Sequence, residues 1–264
     1  MMTNPIPLRV QGLKAGYGSQ AVLNGVDLEV KAGEIRVVLG GSGCGKSTLL
    51  KNAAGLERPW GGKVELFGKE LDWSQGRPSD VVFEKIGVLF QGGALLSSMP
   101  VGENVSLALR VRHPKLSAAS LRELSHLKLS QVKLAESADK FPGELSGGMR
   151  KRAALARSLA ADPELLFCDE PSAGLDPVTS RGLDDLLLEL RNDLGLAIVV
   201  VTHELDSIRA LGGLITFLSG GKVIFDGPLD EAESGPLEVR DFLSRRLSLQ
   251  PDSVPSALTF AFED

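Results

Sequence analysis

Eight consecutive residues, Gly40-Gly41-Ser42-Gly43-Cys44-Gly45-Lys46-Ser47, have the composition of a loop that wraps an anion. They match G-x-x-x-x-G-K-[ST], follow the apolar run Ile35–Leu39, and open onto Thr48, Leu49 and Leu50, which read as the start of a helix. Glycines let the backbone close around a phosphate so that successive N–H groups point at it. The helix N-terminus adds positive potential. Lys46 has the length to reach β- and γ-phosphate oxygens, and the Ser47 hydroxyl is a ligand for Mg²⁺. The alternative is a glycine-rich turn with an incidental lysine; with a strand before and a helix after, it is set aside, and residues Gly40 to Thr48 are taken as the phosphate-binding set.

A second cluster ends another apolar run, Leu165-Leu166-Phe167-Cys168-Asp169-Glu170. A buried strand that finishes in two adjacent carboxylates places them at the carboxyl edge of a sheet, where α/β proteins bind ligands. Asp169 would hold Mg²⁺ through water. Glu170, pointing the other way, would act as base for a water attacking the γ-phosphate. Alone, two acids after a strand more often form a solvated turn or a helix cap; beside a phosphate loop they read as a hydrolysis site.

The third cluster is Leu145-Ser146-Gly147-Gly148-Met149, followed by Arg150 and a helix with Ala153, Ala156 and Leu159 on one face. A Ser–Gly–Gly turn at a helix N-terminus offers N–H groups and a hydroxyl to an anion, although an ordinary N-cap has the same chemistry. This pentapeptide closely resembles the signature motif of ABC ATPases. The order of motifs strengthens the resemblance: the phosphate loop, Gln91, the Ser146 turn, Asp169-Glu170, Ser172-Ala173-Gly174-Leu175-Asp176 and His203 follow the order of that family over about residues 8–230.

The resemblance implies ATP as ligand and a role for each matching residue. Tyr17 resembles the aromatic that stacks on adenine. Gln91 resembles the glutamine that contacts Mg²⁺ and the attacking water, giving Ser47, Gln91 and Asp169 as the metal set. His203 resembles the histidine that contacts the γ-phosphate, so Glu170, His203 and Gln91 form the catalytic set. Residues 172–176 resemble the loop that crosses the dimer interface. Ser146, Gly147 and Gly148 would close on the phosphate loop of a second copy, which makes a homodimer the hydrolysing unit. Cys44 and Cys168 read as structural; His113 and His126 read as surface residues.

Within that family, 53 residues lie between Gln91 and Leu145, too few for the long coiled coils of DNA-repair members, and there is one motif set, not the tandem pair of translation factors. A transporter subunit is the expectation. The stretch after Gln91 is small and apolar, suited to a groove that receives a helix of a membrane permease. Its wording Gln91-Gly92-Gly93-Ala94-Leu95-Leu96-Ser97, then Glu103-Asn104-Val105, Met149 closing the signature and Arg152-Ala153-Ala154-Leu155-Ala156-Arg157, resembles the ATPases of MCE/Mla-type phospholipid transporters. That resemblance implies two ATPases, two permease subunits, a periplasmic MCE-type lipid-binding protein and a STAS-like regulator at the cytoplasmic face of the inner membrane. An importer for another small solute such as an amino acid, or a soluble non-transport ABC ATPase, remains the alternative; the Ser172–Pro177 wording is general to the family.

These residues need a scaffold. The runs Ile35–Leu39, Leu165–Cys168, Ala197–Val201 and Leu214–Leu218 do not alternate, which predicts strands buried on both faces of a parallel sheet. Asp176-Pro177 reads as an N-cap and first helical residue, with Leu183, Leu186, Leu187, Leu190 and Leu194 as one buried stripe. Leu8–Tyr17, Val22–Val30, Val64–Phe67 and Ile86–Phe90 are read as a small, mostly antiparallel sheet. About residues 92–160 read as an inserted helical subdomain, with Leu121, Leu124 and Leu127 on one face and a capping box at Ser120–Glu123. The expected fold is α/β, a P-loop NTPase core of ABC type over residues 8–247. An amphipathic helix carrying Val239, Phe242, Leu243 and Leu247 would pack on the core or a neighbour, and a loosely ordered tail would occupy 248–264. Length suits one large domain. Twenty-nine basic against 34 acidic residues, net −5, argues against nucleic acid as partner. Two cysteines give no disulfide framework; Met1 to Pro7 lacks the charged start and apolar core expected of a signal peptide, and no apolar run approaches ~18–20 residues.

Overall fold

The computed structural model describes residues 6–76, 78 and 83–244. Among the described residues ten strands form two sheets. The smaller is antiparallel, in the order β2 (Gln20–Val30), β1 (Leu8–Tyr17), β4 (Gly61–Leu66), β5 (Lys69–Glu70). The larger runs β10 (Lys222–Pro228), β9 (Leu214–Ser219), β3 (Ile35–Gly40), β8 (Ala197–Val201), β7 (Leu165–Asp169), β6 (Ile86–Leu89). Its strands are parallel from β9 to β6, and β10 is antiparallel at one edge.

Continuous apolar runs lie where both faces are covered. Ile35, Val37 and Leu39 of β3 enter one core with the helical side of the molecule, whereas Val38 enters a second core with β1, β2 and Leu49. One expectation is corrected. Residues 86–89 do not join the antiparallel sheet; they pair parallel with β7, Ile86 opposite Leu165 and Leu89 opposite Cys168. Four residues carry too little alternation to separate the two cases. Gly87 shows why this strand belongs at the helical side: a Cβ there would lie 2.4 Å from the carbonyl oxygen of Ser158, so only glycine lets that helix pack so closely.

Eight α-helices occur among the described residues: α1 (Lys46–Ala53), α2 (Val101–Arg112), α3 (Ala118–Gln131), α4 (Gly147–Ser158), α5 (Pro177–Leu194), α6 (Leu205–Leu211), α7 (Leu229–Ala232) and α8 (Leu237–Ser244). In α5 the Asp176 carboxylate accepts from the N–H groups of Val178 and Thr179, and Gly195 ends the helix in the left-handed region. Leu183, Leu186, Leu187 and Leu190 are buried, but Leu194 is 46% exposed because the helix stops there. The cap of α3 is Ser117, whose side chain accepts from Ser120 N–H, three residues before the expected box. Leu121 of this helix is buried and Leu127 is exposed. Val239, Phe242 and Leu243 of α8 pack on this chain's own core, with the Phe242 ring edge-on to Phe217 at 5.2 Å between centroids. Leu247 and the tail 248–264 lie outside the described residues. No helix among the described residues is long and apolar enough to cross a membrane.

Arg36 interrupts the apolar β3 run, yet it is buried. Its guanidinium donates to Glu34, Asp226, Thr216 and the Glu29 carbonyl, so every face of the cation has an acceptor and β2, β3, β9 and β10 are tied at one point.

Candidate functional site

The loop after β3 is built by steric exclusion. Gly40 has φ 145°, and a Cβ there would meet the Leu218 carbonyl at 2.2 Å and the Cys44 sulfur at 2.6 Å. Gly45 caps α1 at φ 107° and would collide with Leu23. These contacts seat the loop directly on β9 and β2. Lys46 Nζ lies over the loop, donating to the carbonyls of Gly40 at 2.9 Å and Gly41 at 3.0 Å. Cys44 is half-buried beneath it, and burial raises its thiol pKa, the opposite of a reactive thiol; Cys168 is fully buried in β7.

Strand β7 lies two places from β3 in the sheet, and its last residue reaches the same loop. Ser47 Oγ donates to Asp169 Oδ1 at 3.1 Å. Burial raises the Asp169 pKa, with the Ser47 hydrogen bond opposing it. This hydroxyl–carboxylate pair is a hard-oxygen donor set. Among the described residues no group of three or more His, Cys, Asp or Glu could hold a metal. The pair therefore fits Mg²⁺, which keeps waters and substrate phosphate oxygens as most of its ligands.

Glu170 adopts φ 47°, in the left-handed region where a non-glycine residue is strained. Its N–H donates to the Val201 carbonyl at 2.8 Å, which holds the chain in that turn. The residue is 8% exposed; Oε1 lies 2.7 Å from His203 Nδ1, and Oε2 is buried with no hydrogen-bond partner. A carboxylate acceptor fixes the tautomer: Nδ1 carries the proton. His203 itself, in the loop after β8, has a side chain 61% exposed.

A cavity of about 630 Å³ joins these groups. It is lined by Tyr17, Val22, Gly40–Gly43, Gly45–Thr48, Gln91, Glu170, His203, Leu205 and Phe242. Tyr17 stands at its rim, 51% exposed, with its hydroxyl 3.4 Å from Thr48 Oγ1 and donating to Glu57 at 3.3 Å. Cys44 and Asp169 do not line the cavity, although Asp169 reaches it through Ser47. Ser146, Gly147 and Gly148 do not line it either. Ser146 caps α4 by accepting from Met149 N–H, and Gly147 borders a separate cavity of about 230 Å³ with Gly92 and Leu175. Sequence reasoning missed Leu205, Phe242 and Lys151, whose ammonium donates to the Gln91 carbonyl. Phe242 carries no motif, and only its amphipathic helix was visible.

A glycine loop over a parallel sheet edge, a Ser–Asp oxygen pair and a buried carboxylate together define a nucleoside triphosphatase. The ABC transporter family model matches residues 23–173, and the chain belongs to that family. It is 37% identical over 242 residues to the probable ribonucleotide transport ATP-binding protein mkl of Mycobacterium leprae, covering 91% of this chain and 70% of that protein. It is 38% identical to the methionine import ATP-binding protein MetN of Mesorhizobium japonicum, covering 84% and 60%. Among solved structures, cbiO1 of Clostridium perfringens superposes with a TM-score of 0.78 at 31% identity, covering 92% of this chain and 96% of that one. The ATP-binding cassette MJ0796, a dimer bound to ADP and Pi, superposes at 0.74 and 30%, covering 84% and 98%. This chain is thus the ATP-binding subunit of an ABC transporter, and its ATP hydrolysis is coupled to transport.

Behind the loop 171–176 sits a second buried carboxylate. Asp184 of α5 accepts a hydrogen bond from Ser207 of α6, whose hydroxyl also meets Ser172 at 3.2 Å and Ser180 at 3.5 Å. Asp184 Oδ1 has no partner, and burial pushes the carboxyl up to about 6 from 3.8. The folded chain therefore binds more protons than the unfolded one between about pH 4 and 6, so stability falls as pH rises through that window. Asp184→Asn is expected to stabilise the chain by about 1–3 kcal/mol at pH 7.5, with the gain fading towards pH 4. Urea denaturation at both pH values checks this; a gain independent of pH, or a loss at pH 7.5, contradicts it.

Proposed function

We propose that this chain hydrolyses MgATP as a homodimer through Glu170, and that the permease it drives moves phospholipid in an MCE/Mla-type system. The observation that carries the hydrolytic part is the pairing of Glu170 Oε1 with His203 while Oε2 stays buried and unpartnered, in a residue that lines the cavity. One carboxylate oxygen is used for orientation, and the other is left to take a proton from water. Residues 40–48 bind the phosphates, with Lys46 swinging from the loop carbonyls to phosphate oxygens. Tyr17 stacks on the base. Ser47, Asp169 and Gln91 would hold Mg²⁺, which would supply positive charge beside the phosphates. His203 holds Glu170 and reaches the γ-phosphate. Ser146, Gly147 and Gly148 meet the nucleotide of the second copy, consistent with their place outside this chain's own cavity.

Support for the lipid part is the wording from Gln91 to Ser97, Glu103 to Val105, Met149 and Arg152 to Arg157. The geometry is compatible. The Asn104 side chain bonds the backbone of Leu96, Met99 and Pro100, which fixes the loop and presents an exposed Leu96 to a permease helix. The MCE-type protein, the STAS-like regulator and the inner-membrane location follow from this reading. The second reading, a small-solute importer, draws on the relatives named for methionine import and ribonucleotide transport.

Glu170→Gln keeps size and hydrogen-bond reach but cannot accept the proton. Hydrolysis is expected to fall by roughly 10²–10⁴-fold while ATP binding survives. The variant should then run as a dimer in MgATP and as a monomer without nucleotide by light scattering, and an added Ser146→Arg should abolish that dimer. Glu170→Gln hydrolysing at the wild-type rate would sink the assignment. For the cargo, the tagged chain purified from detergent-solubilised membranes should bring down a periplasmic lipid-binding protein and bound phospholipid. Recovery with an amino-acid permease and its binding protein would overturn the lipid reading.

A further inference from the structure

Strands β6 and β7 are in register only as far as Leu89 and Cys168. Beyond that pair the two chains part, and each then delivers a residue to the cavity: Gln91 from one, Glu170 from the other. No ladder bond holds these two residues together. Lys151, half-buried on α4, spans the gap. Its ammonium donates to the Gln91 carbonyl at 2.6 Å and to the Glu170 carbonyl at 3.2 Å. Burial lowers its pKa, and the carboxylates of Glu170, Glu204 and Asp169 oppose that fall. Six residues further along the same helix, Arg157 donates to the Gly93 carbonyl at 3.1 Å and to the Ala94 carbonyl. One helix thus grips the backbone of residues 91–94 with two cations. Charge-assisted bonds of this kind are about twice as strong as neutral ones.

We propose that Lys151 is a positioning residue for ATP hydrolysis: it fixes the backbone of Gln91 against that of Glu170, so that displacement of the loop after Gln91 is passed to the catalytic carboxylate. Lys151 does not line the cavity; it acts through the two residues it holds. The inference rests on the assignment of Gln91 and Glu170 made above. Glu170 sits in a strained backbone conformation that must be held from outside. The Val201 carbonyl holds its N–H side, and Lys151 holds its carbonyl side. Losing the second hold lets the carboxylate drift, and a misplacement near 1 Å costs on the order of 10²-fold in rate.

The test measures steady-state ATP hydrolysis, ATP binding by fluorescent-nucleotide titration and thermal melting on the full chain, for wild type, Lys151→Met, Lys151→Arg and Glu170→Gln. Methionine matches the length of lysine and removes the donors; arginine keeps cationic donors. Lys151→Met is expected to lose about 10- to 100-fold in kcat with ATP affinity within about twofold of wild type, and Lys151→Arg to recover most of the loss. If Lys151→Met melts below the assay temperature, Lys151→Gln replaces it, with the same expected split between kcat and binding. An unchanged kcat, or kcat and ATP affinity falling together with no rescue by arginine, overturns the proposal. Glu170→Gln separates the two levels. Inactive Glu170→Gln beside fully active Lys151→Met refutes the Lys151 role alone, whereas active Glu170→Gln refutes the site assignment beneath it.

Discussion

Everything at this site depends on one constraint, the order β3–β8–β7–β6 of four neighbouring strands that all point the same way. Parallel pairing puts the carboxyl ends of four strands side by side, so loops distant in sequence meet at one edge. The glycine loop leaves β3, His203 follows β8, Asp169 ends β7 with Glu170 just after it, and Gln91 follows β6. The Ser47–Asp169 and His203–Glu170 hydrogen bonds are consequences of that adjacency. Alternate residues of β3 feeding two separate cores hold the edge rigid from both faces.

The same edge concentrates features that cost stability. Glu170 is strained in φ, Asp169 is a carboxylate whose pKa burial raises, and Glu170 Oε2 lacks a partner. Away from the edge, a buried charge such as Arg36 is surrounded by acceptors. The contrast is physical. A group satisfied within the protein has nothing left for a ligand, whereas an unsatisfied one lowers its energy by meeting water or phosphate.

The local signals in the sequence were the reliable ones. The phosphate loop is contiguous, its glycines are forced by contacts at Gly40 and Gly45, and the apolar runs flanking it mark buried strands without reference to the rest of the chain. The helix begun by Asp176 was legible for the same reason. Residues 86–89 were misplaced because four residues with one glycine do not encode which sheet they join; that is decided by β7 and by the close approach of α4. Lys151 was invisible, and Phe242 was legible as a core residue but not as a cavity wall, because their meaning lies in partners far along the chain: Gln91 is 60 residues from Lys151, and Phe242 gains its place from Phe217. The separation of Ser146–Gly148 from this chain's own cavity was foreseen only through family resemblance, since nothing local in a Ser–Gly–Gly turn says which nucleotide it faces.

The central claim is that Glu170 and His203 work as one unit, with the histidine orienting the carboxylate that accepts the proton. A double-mutant cycle on kcat tests it directly, using Glu170→Gln, His203→Ala and the combined variant at saturating MgATP. Groups that act together give strongly non-additive losses. The account predicts that the double variant is slowed by well under the product of the two single losses. Losses that multiply, with the double variant slowed by the product of the two single effects, would show that His203 and Glu170 act independently and would contradict it.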